Sequence, residues 1–164
     1  MDEKHILNLN PQKVIRCLGP ILPAAEIDKV KEVLRANIQQ MLRLGLTHLR
    51  FAERAAGPSS WRQRVSRGYY CAYCTSRAVR LAINGHYSQD IGDHKKIGDL
   101  PSDFPSKATW EDFLMKFKAD RNLADYDHTV SEKALELGSN IYMEKAGAFY
   151  QTARKYLIEK GAIR

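Results

Sequence analysis

One long apolar stripe constrains this chain more than any other feature. From Ala24 to about Ala56, Ile27, Val30, Leu34, Ile38, Met41, Gly45, Leu49 and Ala52 recur at steps of three and four. That spacing places them on one side of a helix of some nine turns. Such a helix cannot bury its stripe alone, so the chain must supply partners of similar length. Gly57-Pro58-Ser59-Ser60 stops it and offers an N-cap for a second helix, from about Trp61 to Ile83, which ends at Asn84-Gly85. Trp61, Val65, Ala72, Val79 and Ile83 line one face of that helix, and Tyr70, Cys74, Ala78 and Leu81 much of the other. A helix apolar on two sides is a central one, and its small residues Gly68, Ala72, Ser76 and Ala82 favour close approach of neighbours.

A connection at 85–107 follows, long for a compact domain and for that reason a place to look for function. A third helix is expected from about Ala108 to Asp125 on the spacing of Trp110, Phe113, Leu114 and Phe117. Thr129-Val130-Ser131-Glu132 fits a capping box that would open a last helix carrying Leu135, Tyr142, Phe149 and Tyr156 at steps of seven. Ahead of the stripe, residues 1–23 form a leader in which Asn10-Pro11 starts a short helix through Cys17, broken by Gly19-Pro20 and Pro23. No strand alternation or repeat is visible. The expectation is an all-α bundle over residues 24–164, a single domain behind a short leader.

The charge balance bears on partners rather than fold. Lys and Arg number 26 against 19 Asp and Glu, a net +7. Arg54, Arg62, Arg64, Arg67, Arg77 and Arg80 fall in a segment, up to Gln89, that contains no acid. Two readings are open: an anionic partner such as nucleic acid, or arginines paired with acids from neighbouring helices. No apolar run is long enough to cross a membrane. The opening Met1-Asp2-Glu3-Lys4-His5 lacks the pattern of a secretory signal, and three cysteines make no disulfide framework, so a cytoplasmic protein is expected.

Several groups invite chemistry. If the third helix ran on to His128, seven steps would bring His128 within about 20° of Arg121. An imidazole that moves a proton beside a guanidinium that stabilises phosphate charge is able to cleave RNA without metal. Asn122 is placed to assist. The plainer reading is an Arg121–Asp125 pair on a helix surface, with His128 outside regular helix. Cys71-Ala72-Tyr73-Cys74 is a CxxC in mid-helix, where small core residues are the better reading than redox or zinc chemistry. His86, Asp90, Asp93 and His94 crowd the long connection without a standard metal-ligand spacing, and Lys95-Lys96 extends a basic surface. No metal or cofactor is expected, and no GxxxxGK, GxGxxG, HExxH or GxSxG occurs.

Ser66-Arg67-Gly68-Tyr69-Tyr70-Cys71-Ala72-Tyr73 resembles the S-R-x-Y-Y-x-A motif of HEPN domains. His94-Lys95-Lys96-Ile97 resembles the family's H-x-x-[VI] element, and Arg121-Asn122-Leu123-Ala124-Asp125-Tyr126-Asp127 its R-x-x-A-D-Y-[DG] segment. Order and spacing agree over about residues 30–160. The resemblance implies an up-and-down bundle of four to five helices, often a homodimer, of the kind found as toxins paired with a minimal nucleotidyltransferase. It also implies a metal-independent endoribonuclease with R-x(4–6)-H, which here would be Arg121 and His128, supported by Asn122, Asp125 and Tyr126. Arg62, Arg64, Arg67, Lys95 and Lys96 would then contact RNA. The alternative within the same resemblance is a non-catalytic module that binds RNA, a nucleotide or a nucleotidyltransferase partner.

Overall fold

A computed structural model describes residues 3–55, 57–85 and 91–164. The described residues form α1 (Glu3–Asn8), α2 (Pro11–Leu18), α3 (Ala24–Arg54), α4 (Trp61–Asn84), α5 (Lys107–Tyr126) and α6 (Ser139–Glu159), with 3₁₀ turns at Pro58–Ser60, Ile91–Lys96 and Glu132–Ala134. No strand occurs among them. The expected stripe is the buried face of α3, with Leu42 taking the buried place expected of Met41. A Cβ at Gly45 would lie 3.1 Å from the carbonyl oxygen of Cys71, so the missing side chain is what lets α3 and α4 touch along their backbones.

The contacts give the directions. Gly45 of α3 meets Cys71 of α4, and His48 meets Arg67 and Tyr70, so the two run antiparallel. On α5, Ala124 lies against Arg62 and Arg121 against Tyr70, again antiparallel to α4. Phe113 and Phe117 of α5 pack on Tyr142 of α6, while Trp110 packs on Phe149, which turns α6 back once more. The four long helices therefore alternate up and down, and α4 is buried along nearly its whole length from Gly68 to Ala82.

Two expectations need correction. The Thr129–Glu132 capping box does not open α6. The Asp127 carboxylate accepts from the Thr129 backbone N–H (2.9 Å) and hydroxyl (2.7 Å), a local turn that holds Thr129. Glu132 instead accepts from the Ser139 N–H at 2.9 Å, so α6 starts at Ser139 and Leu135 is buried just outside it. The leader holds two helices rather than one. Asn10-Pro11 starts α2 as expected; the Asn10 side chain caps it by accepting from the Lys13 N–H, and its amide donates to the carbonyl of Asn84 at 3.0 Å. Gln12 donates to the carbonyl of Ala82. Gly85, at φ +72°, ends α4 against these two residues, where a Cβ would collide with Asn10 and Gln12.

One ion pair ties the long connection to the core. Asp93, wholly buried, accepts from both Nη1 (2.7 Å) and Nη2 (2.9 Å) of Arg80, itself 4 % exposed, and from the Tyr73 hydroxyl at 2.9 Å. Arg77 Nε stands 3.6 Å away. Removing one partner of such a pair strands the other's charge, so Asp93→Ala should lower stability by about 3–5 kcal/mol. An unchanged urea midpoint would show that the pair contributes nothing net.

Candidate nucleic-acid interface

Arg121 sits near the end of α5, where that helix crosses Tyr70. Its Nε lies 2.7 Å from Asp125 Oδ2, the i,i+4 pair that spacing allowed. Nη2 donates to the Tyr70 hydroxyl at 3.0 Å and Nη1 to Asn122 Oδ1 at 3.3 Å. The guanidinium carbon is 5.3–5.5 Å from the ring centres of Tyr69, Tyr70 and Tyr126. A cation among three aromatic faces is held by charge and quadrupole together, and this side chain is only 12 % exposed. Tyr126 is the opposite, 71 % exposed.

His128 does not lie on the helix. α5 ends at Tyr126, and Asp127 is extended at φ −100°, so the helical geometry that would align His128 with Arg121 stops short of it. The reason is local. Arg62 Nη1 donates to the carbonyls of Ala124 (2.7 Å) and Asp127 (2.8 Å), and Nη2 to that of Val130 (2.7 Å), which satisfies the open end of α5 and turns the chain away. His128 is exposed. With Asn122, Leu123, Tyr126, Asp127 and Thr129 it lines an open depression of about 690 Å³. Arg121 touches two of those residues, Asn122 and Tyr126, from behind.

Two other imidazoles stand nearer to the buried side of Arg121. The His94 ring stacks on Tyr73 at 4.1 Å, and its Nδ1 is 2.8 Å from the Tyr69 hydroxyl. Burial holds its pKa below the ordinary 6.5, helped by the positive charge of Arg121. The His48 ring stacks on Tyr70 at 5.5 Å with Nδ1 3.5 Å from Arg67 Nη1, and burial followed by the Arg67 charge lowers it too. His94 carried a sequence signal through its motif. His48 carried none, because it is one polar residue on a long helix until α4 packs beside it.

The remaining site residues separate. Arg62 spends both its Nη groups on three backbone carbonyls and serves as a helix cap. Arg64 donates to Asn140 on α6. Arg67 lies over the exposed Phe51 ring at 5.0 Å, and Lys95 and Lys96 are exposed on the 3₁₀ turn. Arg77 and Arg80 face Asp93, so the arginine-rich helix divides between internal pairing and an open basic edge. Burial pushes the Cys71 and Cys74 thiols up to about 12 and about 11, which makes both poor nucleophiles. His86 and Asp90 lie outside the described residues. Among the described residues, no three His, Cys, Asp or Glu side chains gather as a metal site would require, and no helix is long and apolar enough to cross a membrane.

The comparisons with family models, with curated proteins and with solved structures give no match to this chain.

The two depressed imidazoles set a pH dependence. With a folded pKa below the unfolded value, the unfolded chain takes up protons first. Stability is therefore full above about pH 6.5 and is lost as pH falls through the folded pKa. Urea midpoints should drop between about pH 7 and pH 5 in the parent, and fall less steeply in the His48→Gln/His94→Gln variant. Equal slopes would remove the imidazoles as the cause.

Proposed function

We propose that this chain is a HEPN-like protein that binds single-stranded RNA across the surface around Arg121. The observation that carries the reading is the meeting of its three motifs. Ser66 Oγ lies 3.5 Å from Asp125, Tyr70 bonds Arg121, and Tyr69 bonds His94, so segments some 25 to 60 residues apart converge on one cluster. The cluster opens onto a strip that runs from Phe51 and Arg67 through His48 and Tyr70 to Arg121, Asn122, Tyr126 and His128. Rings accept stacked bases of any sequence, and cations track the phosphates. Lys95 and Lys96 extend the charge. Two copies facing each other would double this field and enclose a strand that one open strip cannot, which favours a homodimer. The same resemblance makes a minimal nucleotidyltransferase the protein partner to look for and the cytoplasm the place.

A second reading, metal-independent cleavage by Arg121 and His128, is favoured by one feature. His128 shares its depression with Asn122 and Tyr126, the two residues that touch Arg121 on its outer side. A phosphate seated there would have the guanidinium behind it and the imidazole at the rim. The 2′-oxygen would attack phosphorus as its proton leaves, the P–O5′ bond would break, and the 5′-oxygen would depart as a protonated hydroxyl, leaving a 2′,3′-cyclic phosphate.

The readings separate on one substrate. A labelled single-stranded RNA, with EDTA present, should bind with an affinity that falls as salt rises, the slope easing by about 0.7 when Arg67 becomes Ala. Tyr126→Ala should weaken binding by about 1–3 kcal/mol through lost stacking. His128→Ala should leave binding intact and, under the second reading, reduce cleavage by about 10²–10⁴-fold. Cleavage equal in parent and variant leaves the binding reading alone, and no RNA binding at low salt defeats both.

A further inference from the structure

The far end of the bundle carries a second cavity, apolar within and edged by cations. Along α4, Ala82 is twelve residues from Tyr70, about 18 Å at 1.5 Å per residue, so this cavity is remote from the strip around Arg121. Four segments distant in sequence wall it: Gln12 and Ile15 of α2, Lys31 to Ile38 of α3, Ala82 and Ile83 of α4, and Lys160 to Ala162 after α6. Its volume is about 370 Å³. The floor is aliphatic, from Ile15, Leu34, Ile38 and Ile83, and the rim is cationic, from Lys31, Arg35 and Lys160.

The three cations are not equivalent. Lys31 pairs with Asp28 at 3.0 Å and Lys160 with Asp103, two acids that do not line the cavity. Arg35 has no acid, carbonyl or ring partner among the described residues, and its Nε is closed to solvent without an acceptor. Of the three cations lining the cavity, Arg35 alone has no acid partner among the described residues, so an anion entering the cavity would meet an unneutralised guanidinium. The leader explains why the cavity exists. Asn10 and Gln12 bond the last carbonyls of α4, and Gly85 makes room for them, so α2 is fastened across the bundle end as one wall.

We propose that this cavity binds a small organic oxyanion: a phosphate or carboxylate head on Arg35, with Lys31 and Lys160 at the rim, and a compact apolar body of about one ring on the aliphatic floor. The volume is at the lower end for ligand sites, which excludes large ligands. The guanidinium fork fits either head, so the two sources of the same chemistry are left to the test.

Two-dimensional NMR of the full chain, titrated with phenyl phosphate, benzoate and inorganic phosphate in turn, reads the site directly. Phenyl phosphate or benzoate should shift Arg35, Ile83 and Ala162 saturably while leaving Tyr70 and Arg121 in place, and which of the two binds tighter identifies the head. Arg35→Gln should weaken that binding about tenfold or more, the loss expected for a charge-assisted pair. Ala162→Phe, which fills the cavity from its wall and keeps every charge, should abolish it, and both variants should retain parental helicity. The proposal is overturned if neither organic anion gives a saturable shift at these residues by about 10 mM, well above a millimolar Kd. It is equally overturned if inorganic phosphate binds as tightly as phenyl phosphate, or if Arg35→Gln binds like the parent. RNA binding by the strip around Arg121 is measured separately and stands or falls without this result.

Discussion

A helix buried along most of its length must find an internal partner for each polar group it carries, and α4 carries many. Thr75 turns its hydroxyl back to the Cys71 carbonyl at 2.8 Å, a bond within the helix. The others reach outward, and four reach the same segment. Ser76 donates to the carbonyl of Ile97 at 2.6 Å, Tyr73 and Arg80 to Asp93, and Tyr69 meets His94. The segment from Asp93 to Ile97 is therefore held against the bundle by the hydrogen-bonding demand of one helix. With an apolar α4 the connection would lose these bonds and keep only its buried Ile97, Leu100 and Phe104 and the pairing of Asp103 with Tyr156 and Lys160.

The same demand shapes the candidate site. Tyr69, Tyr70 and Tyr73 occupy the face of α4 that looks toward α5 and the 3₁₀ turn, so rings, imidazole and guanidinium meet where the three elements converge. The inward members are fully engaged: Tyr73 by Asp93, and Tyr69 by His94. Burial raises both hydroxyls, Tyr73 to about 12 with the Asp93 bond adding to it, so both stay un-ionised at any physiological pH. The outward members, Tyr126, Asn122 and His128, are exposed, which makes the strip a surface supported from below by a rigid polar core.

How much of this the sequence disclosed follows from how local each signal is. The stripe on α3, the two-sided α4, the stop at Gly85 and the start of α2 at Asn10-Pro11 all rest on neighbours within a turn or two, and they are legible. The Thr129 capping box was equally local and yet does not form. Asp127 takes Thr129 into a turn, while Arg62, some 65 residues away, captures the carbonyls around it. No spacing rule reports that capture, because it depends on α4 and α5 lying antiparallel. The arginine-rich segment failed in the same way as a unit. Its charges were plain, but dividing Arg80 with Asp93 from Arg67 on the surface needs the packing. His48 shows the opposite loss, a residue without a motif that becomes part of the site because Gly45 lets α3 lie close to α4.

Arg121 brings these strands together, since its partners differ in how firmly they hold it. Asp125 and Tyr70 lie on the inner side, both part-buried, and fix the direction of the guanidinium plane. Asn122, at a long 3.3 Å, and Tyr126 lie on the outer side and are exposed. A phosphate oxygen arriving from solvent would need to displace only the outer pair, which water already solvates. The inner pair would keep the fork oriented throughout, so little reorganisation accompanies binding. Asp125 also neutralises part of the charge, which weakens attraction for a free anion at a distance. The arrangement therefore favours a polyanion delivered by the surrounding cations and rings over a lone phosphate finding Arg121 by itself.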